Sequence, residues 1–411
     1  MSSASTLTLP PGALRILAAA PHRPLFFIGA ANVLAAMLWW AVWLAAARWQ
    51  WFSMFQPAIP AGWLHAFVML YQVLPSFIFG FLLTVFPRWM QQPALTASHY
   101  VPVAGSLLAG QMLTLLGTFG EMSLLRAGAV LTFVGWLVGT AILLRLVYRN
   151  AAREWHAVSC TLSLSIGLLG LVLYVVFLYG SDPRSMFASM KLGSIGVLLP
   201  IYFTVCHRMI PFFAASALPD YRMVRPLWTL AAFWAFAFLH LFFELRHDFE
   251  HLWIADAAIA ALTAGLLFRW WPRASSMPAL LRVLFVGFAW LPIAFVLFTA
   301  QSIWFATRGE FVLGRAPAHA LFIGFFGSLL VAMVTRVTQG HSGRPLQLGS
   351  LAAVAFVLIQ FVALTRIGAE IAADSLGWQS FAAFGWLAAF MPWVLRSAYI
   401  YLTPRADGKA G

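Results

Sequence analysis

The sequence predicts an all-α, polytopic integral membrane protein of about twelve transmembrane helices. Two compositional facts and one pattern carry that expectation. Hydrophobic residues make up 62% of the 411 residues and charged residues only 9%, against roughly a quarter charged in soluble domains. Mean hydropathy is +0.87. A soluble chain this apolar would have no surface to offer water, whereas lipid accepts an apolar exterior. The pattern is a recurrence of apolar runs close to the ~20 residues that cross a bilayer as a helix, with arginines held between them. A membrane barrel would instead show short alternating segments.

In order, the runs cover residues 25–47, 63–86, 101–119, 124–147, 157–179, 187–206, 227–245, 252–271, 279–303, 318–337, 351–371 and 378–402. Arg48, Trp49 and Trp51 close the first, and Trp63 and Trp89 bracket the second. Trp270, Trp271 and Trp304 stand at later ends, as in an interfacial aromatic belt. Pro75, Pro200, Pro292 and Pro392 fall inside runs. Each removes a backbone donor and frees a carbonyl that a neighbour must satisfy. Residues 1–22 read as a short cytoplasmic lead-in without a cleavage site, 23–403 as one membrane domain and 404–411 as a cytoplasmic tail.

The net charge of +13 comes almost wholly from arginine. The basic residues stand one to three at a time between runs, which marks topology and phospholipid contact rather than a nucleic-acid surface. With the N-terminus in the cytoplasm, only Arg48, Arg126, Arg184, Lys191, Arg246, Arg308, Arg315 and Arg366 of the 25 basic residues fall on the far side. Lys409 joins the cytoplasmic set. Of the acids, only Glu154, Asp220 and Asp407 fall inside. Both termini are therefore expected in the cytoplasm, with a bacterial inner membrane as the host. Cys160 and Cys206 read as small apolar fillers, not as a disulfide framework or thiolate ligands. No GxxxxGK[ST] run points to an ATP-driven pump, and no Ser-His-Asp pattern stands out.

Ten histidines are the main carriers of possible chemistry. His22, His99, His156, His207 and His341 fall on the cytoplasmic side, and His65, His240, His247, His251 and His319 on the other. His65, Met69 and Gln72 have the spacing of one helical face. Imidazole and thioether both ligate haem iron or copper. His319 enters a parallel helix at the same depth, and each of the two histidines is followed by alanine. The echo raises the possibility of an internal duplication. The alternative is a pair of histidines that cap or reach to the interface. His240 and Glu244, one turn apart, suit a metal, as do His247 and His251; a hydrated loop is the other reading for that stretch. Arg336 and Arg344 flank Gly340 and Gly343, a turn fit to hold a carboxylate or phosphate, or to serve as a topological anchor.

These runs resemble the NnrS family of haem- and copper-containing membrane proteins linked to nitric oxide. The resemblance rests on His22-Arg23-Pro24-Leu25-Phe26-Phe27, on His65-Ala66 with Met69 and Phe79-Gly80-Phe81-Leu82-Leu83-Thr84, on Arg208-Met209-Ile210-Pro211-Phe212-Phe213, and on Arg336 through Leu346. It spreads over nearly the whole chain. Where the family reads Trp-His-Ala-His-Glu-Met, this chain has Leu64-His65-Ala66-Phe67-Val68-Met69. Where the family reads Leu-His-Leu-Gly, it has Leu284-Phe285-Val286-Gly287. The resemblance thus implies haem more securely than copper.

The leading expectation is a haem-binding membrane protein of nitric oxide or nitrosative-stress metabolism. His65, His319 and Met69 are its cofactor residues, Arg336 and Arg344 its anionic-group anchors, and His240 a further metal candidate. No quinol- or cytochrome-docking motif is present, so reductase activity is not read from the chain. Two rivals stand beside this reading: a cofactor-free secondary transporter using Lys191 and Asp256, and an assembly factor that has lost part of the metal site. The topology yields the first test. A reporter fused after Arg405 should register the cytoplasm, and one fused after Asp248 the opposite compartment. A periplasmic signal at Arg405 would overturn the orientation.

Overall fold

The computed structural model describes residues 12–51, 53, 56–150, 152–273 and 276–408. The first eleven residues of the expected lead-in, and Lys409 with the rest of the tail's last three residues, lie outside them. Among the described residues there is no strand, and twelve helices are long and apolar enough to cross a membrane. They are α1 (His22–Trp49), α2 (Ala61–Trp89), α3 (Ala97–Gly117), α4 (Met122–Arg149), α5 (Trp155–Gly180), α6 (Pro183–Ala217), α7 (Leu227–Leu245), α8 (Leu252–Trp270), α9 (Ala279–Arg308), α10 (Ala316–His341), α11 (Ser350–Gly368) and α12 (Ser375–Tyr401). A five-residue helix, Ala13–Leu17, precedes them.

Most helices overrun the apolar runs, because a helix keeps its backbone bonds as it passes into the polar interface. α6 is the clearest case. Asp182 caps it, accepting the backbone N–H groups of Arg184 (3.1 Å) and Ser185 (3.2 Å), and the helix continues past Arg208 to Ala217. At the other end of the chain, Arg23 donates to the carbonyls of Tyr401 (3.0 Å) and Thr403 (2.9 Å). This cation satisfies the C-terminal carbonyls of α12 and brings the first and last spans side by side.

The helices are not equivalent. α2, α6 and α10 are buried over 83%, 72% and 78% of their apolar windows, and no other span exceeds 56%. Every fourth helix is therefore central, and each packs against the helix before it: α1, α5 and α9. A cavity of about 70 Å³ lies where the three meet, lined by Phe77 and Phe81 of α2, Tyr202 and Cys206 of α6, and Met333 and Val337 of α10. Each central helix also contains a widened stretch with π-type hydrogen bonding: Val68–Val73, Leu192–Leu198 and Ala320–Gly327. Such stretches add a residue to the turn and change the direction in which later side chains point. The His65/His319 echo in the sequence falls at the head of two of these three stretches.

Neighbouring side chains reach into the widened stretches. Pro75 has no N–H to offer the Tyr71 carbonyl, and the indole N–H of Trp136 on α4 donates to that carbonyl at 2.9 Å. The Tyr71 hydroxyl donates to the Ser189 carbonyl of α6 at 2.6 Å, lying over Gly170 and Gly193, where a Cβ would collide with it. Gln72 enters the α3–α4 interface, donating to Thr114 (2.8 Å) and Thr132 (3.0 Å). That interface is close because Gly110 and Gly128 leave no room for a side chain, a common membrane packing device. On α10, Gln360 of α11 donates to Ser328 (2.8 Å) and accepts from the Trp290 indole of α9 (2.7 Å).

Cys160 and Cys206 are free and buried. Gly167 sits against Trp136, where an added Cβ would collide with the ring. Gly167→Ala should therefore lower the thermal unfolding midpoint of the purified protein, by an overpacking cost of about 1–3 kcal/mol. Gly62→Ala, which meets nothing within 4 Å, should not. Equal midpoints for Gly167→Ala and the parent would contradict this packing.

Candidate cofactor site

His65 and His319 stand on two central helices, each just ahead of a widened stretch. His65 precedes Val68 by three residues, and His319 adjoins Ala320. The two imidazoles are within electrostatic range of one another, and Arg366 of α11 acts on both. The His65 ring stacks on Trp40 of α1, centroids 4.4 Å apart and planes within 10°. Its Nδ1 is buried without a partner, as are the indole nitrogens of Trp39 and Trp43 on the same helix as Trp40.

A network orients His319. Its Nδ1 donates to the Arg315 carbonyl at 2.9 Å, which leaves Nε2 as the unprotonated nitrogen of the neutral ring. The Arg315 N–H donates to Glu370 Oε2 (3.0 Å), and Glu370 Oε1 accepts from Arg366 at 2.5 Å. This is how ligating histidines are usually held, with one nitrogen fixed by a hydrogen bond and the other presented outward. The unprotonated Nε2 of His319 is thus a nitrogen that could ligate a metal.

The shared face expected for His65, Met69 and Gln72 is not there. The widened stretch begins at Val68, so Gln72 turns to α3 and α4 while His65 meets α1. Met69 lies inside the stretch, partly buried against the core. Phe67 stacks on Tyr174 at 3.7 Å, and Phe285 is fully buried beside Trp271. Neither ring offers a donor to copper. No cluster of three or more His, Cys, Asp or Glu has the arrangement of a metal site among the described residues.

Arg336 and Arg344 do not form a visible common clamp. The Arg336 guanidinium lies over the Phe213 ring at 3.9 Å, with Nε buried and unpartnered. One Arg344 terminal nitrogen is likewise buried without a partner. Gly343 makes the turn, with φ +67° and Asp407 against it. Gly340 belongs to the last turn of α10 instead, since the helix continues to His341.

Composition and spacing missed two histidine pairs at the opposite ends of these helices. His22 and His341 have ring centroids 4.7 Å apart, and Arg88 reaches His341 Nε2 at 3.2 Å. His156 Nε2 lies 3.0 Å from His207 Nδ1, and Thr229 lies 2.9 Å from His207 Nε2. The recurring His-Arg dipeptides at 22–23 and 207–208 were the available signal. His240 and Glu244 stand at the end of α7, as the run 227–245 places them, and both are buried there. The expected companions His247 and His251 lie beyond its end and are not part of that buried group.

The family described as NnrS protein matches residues 16–405. The chain belongs to the NnrS family. The match spans all twelve helices and both candidate histidines of this NnrS protein. No curated protein matches its sequence.

The His156–His207 pair gives a test through Glu154, which caps α5 from outside the span. Burial alone would raise its carboxyl, but the hydrogen bond from His156 (2.9 Å) and the charge of Arg208 (2.8 Å) bring it down to about 2 from 4.5. A depressed carboxyl stabilises the fold above its unfolded value and loses that contribution as pH falls through the folded one. Glu154→Gln should therefore be less stable than the parent above pH 4.5, with the two converging as pH approaches about 2. Parallel stability curves over that range would contradict the network.

Proposed function

We propose that this protein is a haem-binding member of the NnrS family, acting in nitric oxide or nitrosative-stress metabolism in a bacterial inner membrane, with His65 and His319 as the haem-binding pair. The observation that carries the proposal is the placement of these two imidazoles on central helices, each just ahead of a widened stretch, with the tautomer of one fixed by the Arg315 carbonyl. A haem held here would supply an iron able to bind nitric oxide, with His65 or His319 as its ligand and the other histidine or Met69 modulating it. The residues do the rest. His319 presents Nε2, held in place by Arg315, Glu370 and Arg366. Trp40 fixes the plane of the His65 ring, and Met69 is its neighbour on the same helix. The indoles of Trp39, Trp40 and Trp43 exclude water from this end of α1 and keep the surroundings apolar. The donor set suits haem more securely than copper, because Phe67 and Phe285 stand where the resemblance places histidines. Arg336 and Arg344, with unpartnered nitrogens, are the anchors for an anionic group at the other end of α10.

A cofactor-free transporter is the second reading, favoured by the half-buried Lys191 and the buried Asp256. The visible spectrum separates the two. Detergent-purified parent protein should show a Soret band and bound iron. His65→Ala and His319→Ala should each reduce bound haem several-fold and shift the band that remains, while His247→Ala should do neither. A colourless parent supports the transporter. Unchanged spectra in both histidine variants would remove these residues from the site.

A further inference from the structure

A second buried set of polar groups lies among α6, α7 and α8. Lys191 of α6 pairs with Glu244 Oε1 of α7. Glu244 Oε2 faces His240 Nε2 at 3.3 Å, without a formed hydrogen bond. His240 Nδ1 lies 2.5 Å from Asp256 Oδ1 of α8. The remaining Asp256 oxygen, Oδ2, is buried and unpartnered. Side-chain exposure falls along the row, from 28% at Lys191 to 7% at Glu244, 1% at His240 and 0% at Asp256. From α9, Phe295 and Phe298 face the imidazole, edge to face. No charge from that side compensates the group.

Ionisable groups inside a membrane are costly and are kept where they serve a pathway. With a neutral imidazole, one lysine faces two carboxylates and the set carries an uncompensated negative charge. One added proton, shared by His240 and Asp256, makes it neutral. Both imidazole nitrogens point at carboxylates, which is the arrangement of a proton relay and not of a metal ligand.

We propose that Lys191, Glu244, His240 and Asp256 form a site that takes up and releases one proton, loaded from the face where Lys191 is exposed. A proton on Glu244 Oε2 passes to His240 Nε2. The imidazolium then gives its Nδ1 proton to Asp256 Oδ1, leaving a neutral imidazole with its remaining proton on Nε2. Charge is conserved at each transfer. Asp256 is the end of the row, so the site stores a proton and does not conduct one through the bundle. Lys191 immediately precedes the widened stretch Leu192–Leu198, as His319 precedes its own. The state of the site is thereby tied to a central helix. The proposal is independent of the haem reading, since it uses none of those residues.

Infrared spectra of the full chain in lipid nanodiscs, taken across a pH series in H₂O and D₂O, test it. A protonated-carboxyl C=O band should titrate as one proton, shift in D₂O, and vanish in Asp256→Asn. In Glu244→Gln the band should remain but exchange its hydrogen at least several-fold more slowly. If Asp256→Asn yields no folded protein, Asp256→Glu should keep the band and displace it in frequency. A wild-type spectrum without a titrating carboxyl would overturn the proposal, as would a band that survives Asp256→Asn or is not displaced by Asp256→Glu. Exchange in Glu244→Gln at the wild-type rate would overturn the route of entry.

Discussion

Lipid offers no hydrogen bond, and an unpaired backbone group in the hydrocarbon costs several kcal/mol. A helix can widen or lose a donor there only if a neighbour supplies the missing partner. The three central helices of this protein each widen, and side chains from the surrounding helices and from one another meet them. Trp136 donates to the Tyr71 carbonyl, Tyr71 donates to the Ser189 carbonyl, and Gln360 binds Ser328. These bonds fix which helices are neighbours. Glycines at 110, 128, 167, 170 and 193 then let the partners approach closely.

Widening also decides where chemistry can sit. A regular α2 would carry His65, Met69 and Gln72 down one face. The stretch Val68–Val73 separates them, sending Gln72 into the α3–α4 contact and leaving His65 against Trp40. On α10 the stretch begins immediately after His319, whose ring is fixed by backbone four residues earlier. The basic residue of α6 in the equivalent place is Lys191, and it pairs with the Glu244 carboxylate. One repeated backbone device thus stands beside His65 and His319 on two helices and beside an acid–base row on the third.

Much of the fold was legible because the bilayer imposes a simple length rule. All twelve spans were found, as were the free, buried state of both cysteines and the turn at Gly343. His240 and Glu244 were placed at the end of their span, but their burial beside Asp256 and Lys191 was not legible, because it depends on neighbouring helices. The pairing of His22 with His341 and of His156 with His207 depends on tertiary neighbours far apart in the chain, which spacing does not encode. The widened stretches gave no local signal beyond Pro75 and Pro200, and α10 widens with no proline behind its stretch, its Pro317 lying in the first turn.

A shared cofactor requires His65 and His319 to approach each other within the bundle. In a chain with Cys160 and Cys206 replaced by alanine, cysteines placed at 65 and 319 test that arrangement without reference to any cofactor. A short bifunctional thiol reagent should link the two positions within one chain in high yield, and should not link 65 to a cysteine at 247. No linkage between 65 and 319 in folded protein, with both thiols shown to be reactive, would contradict the account.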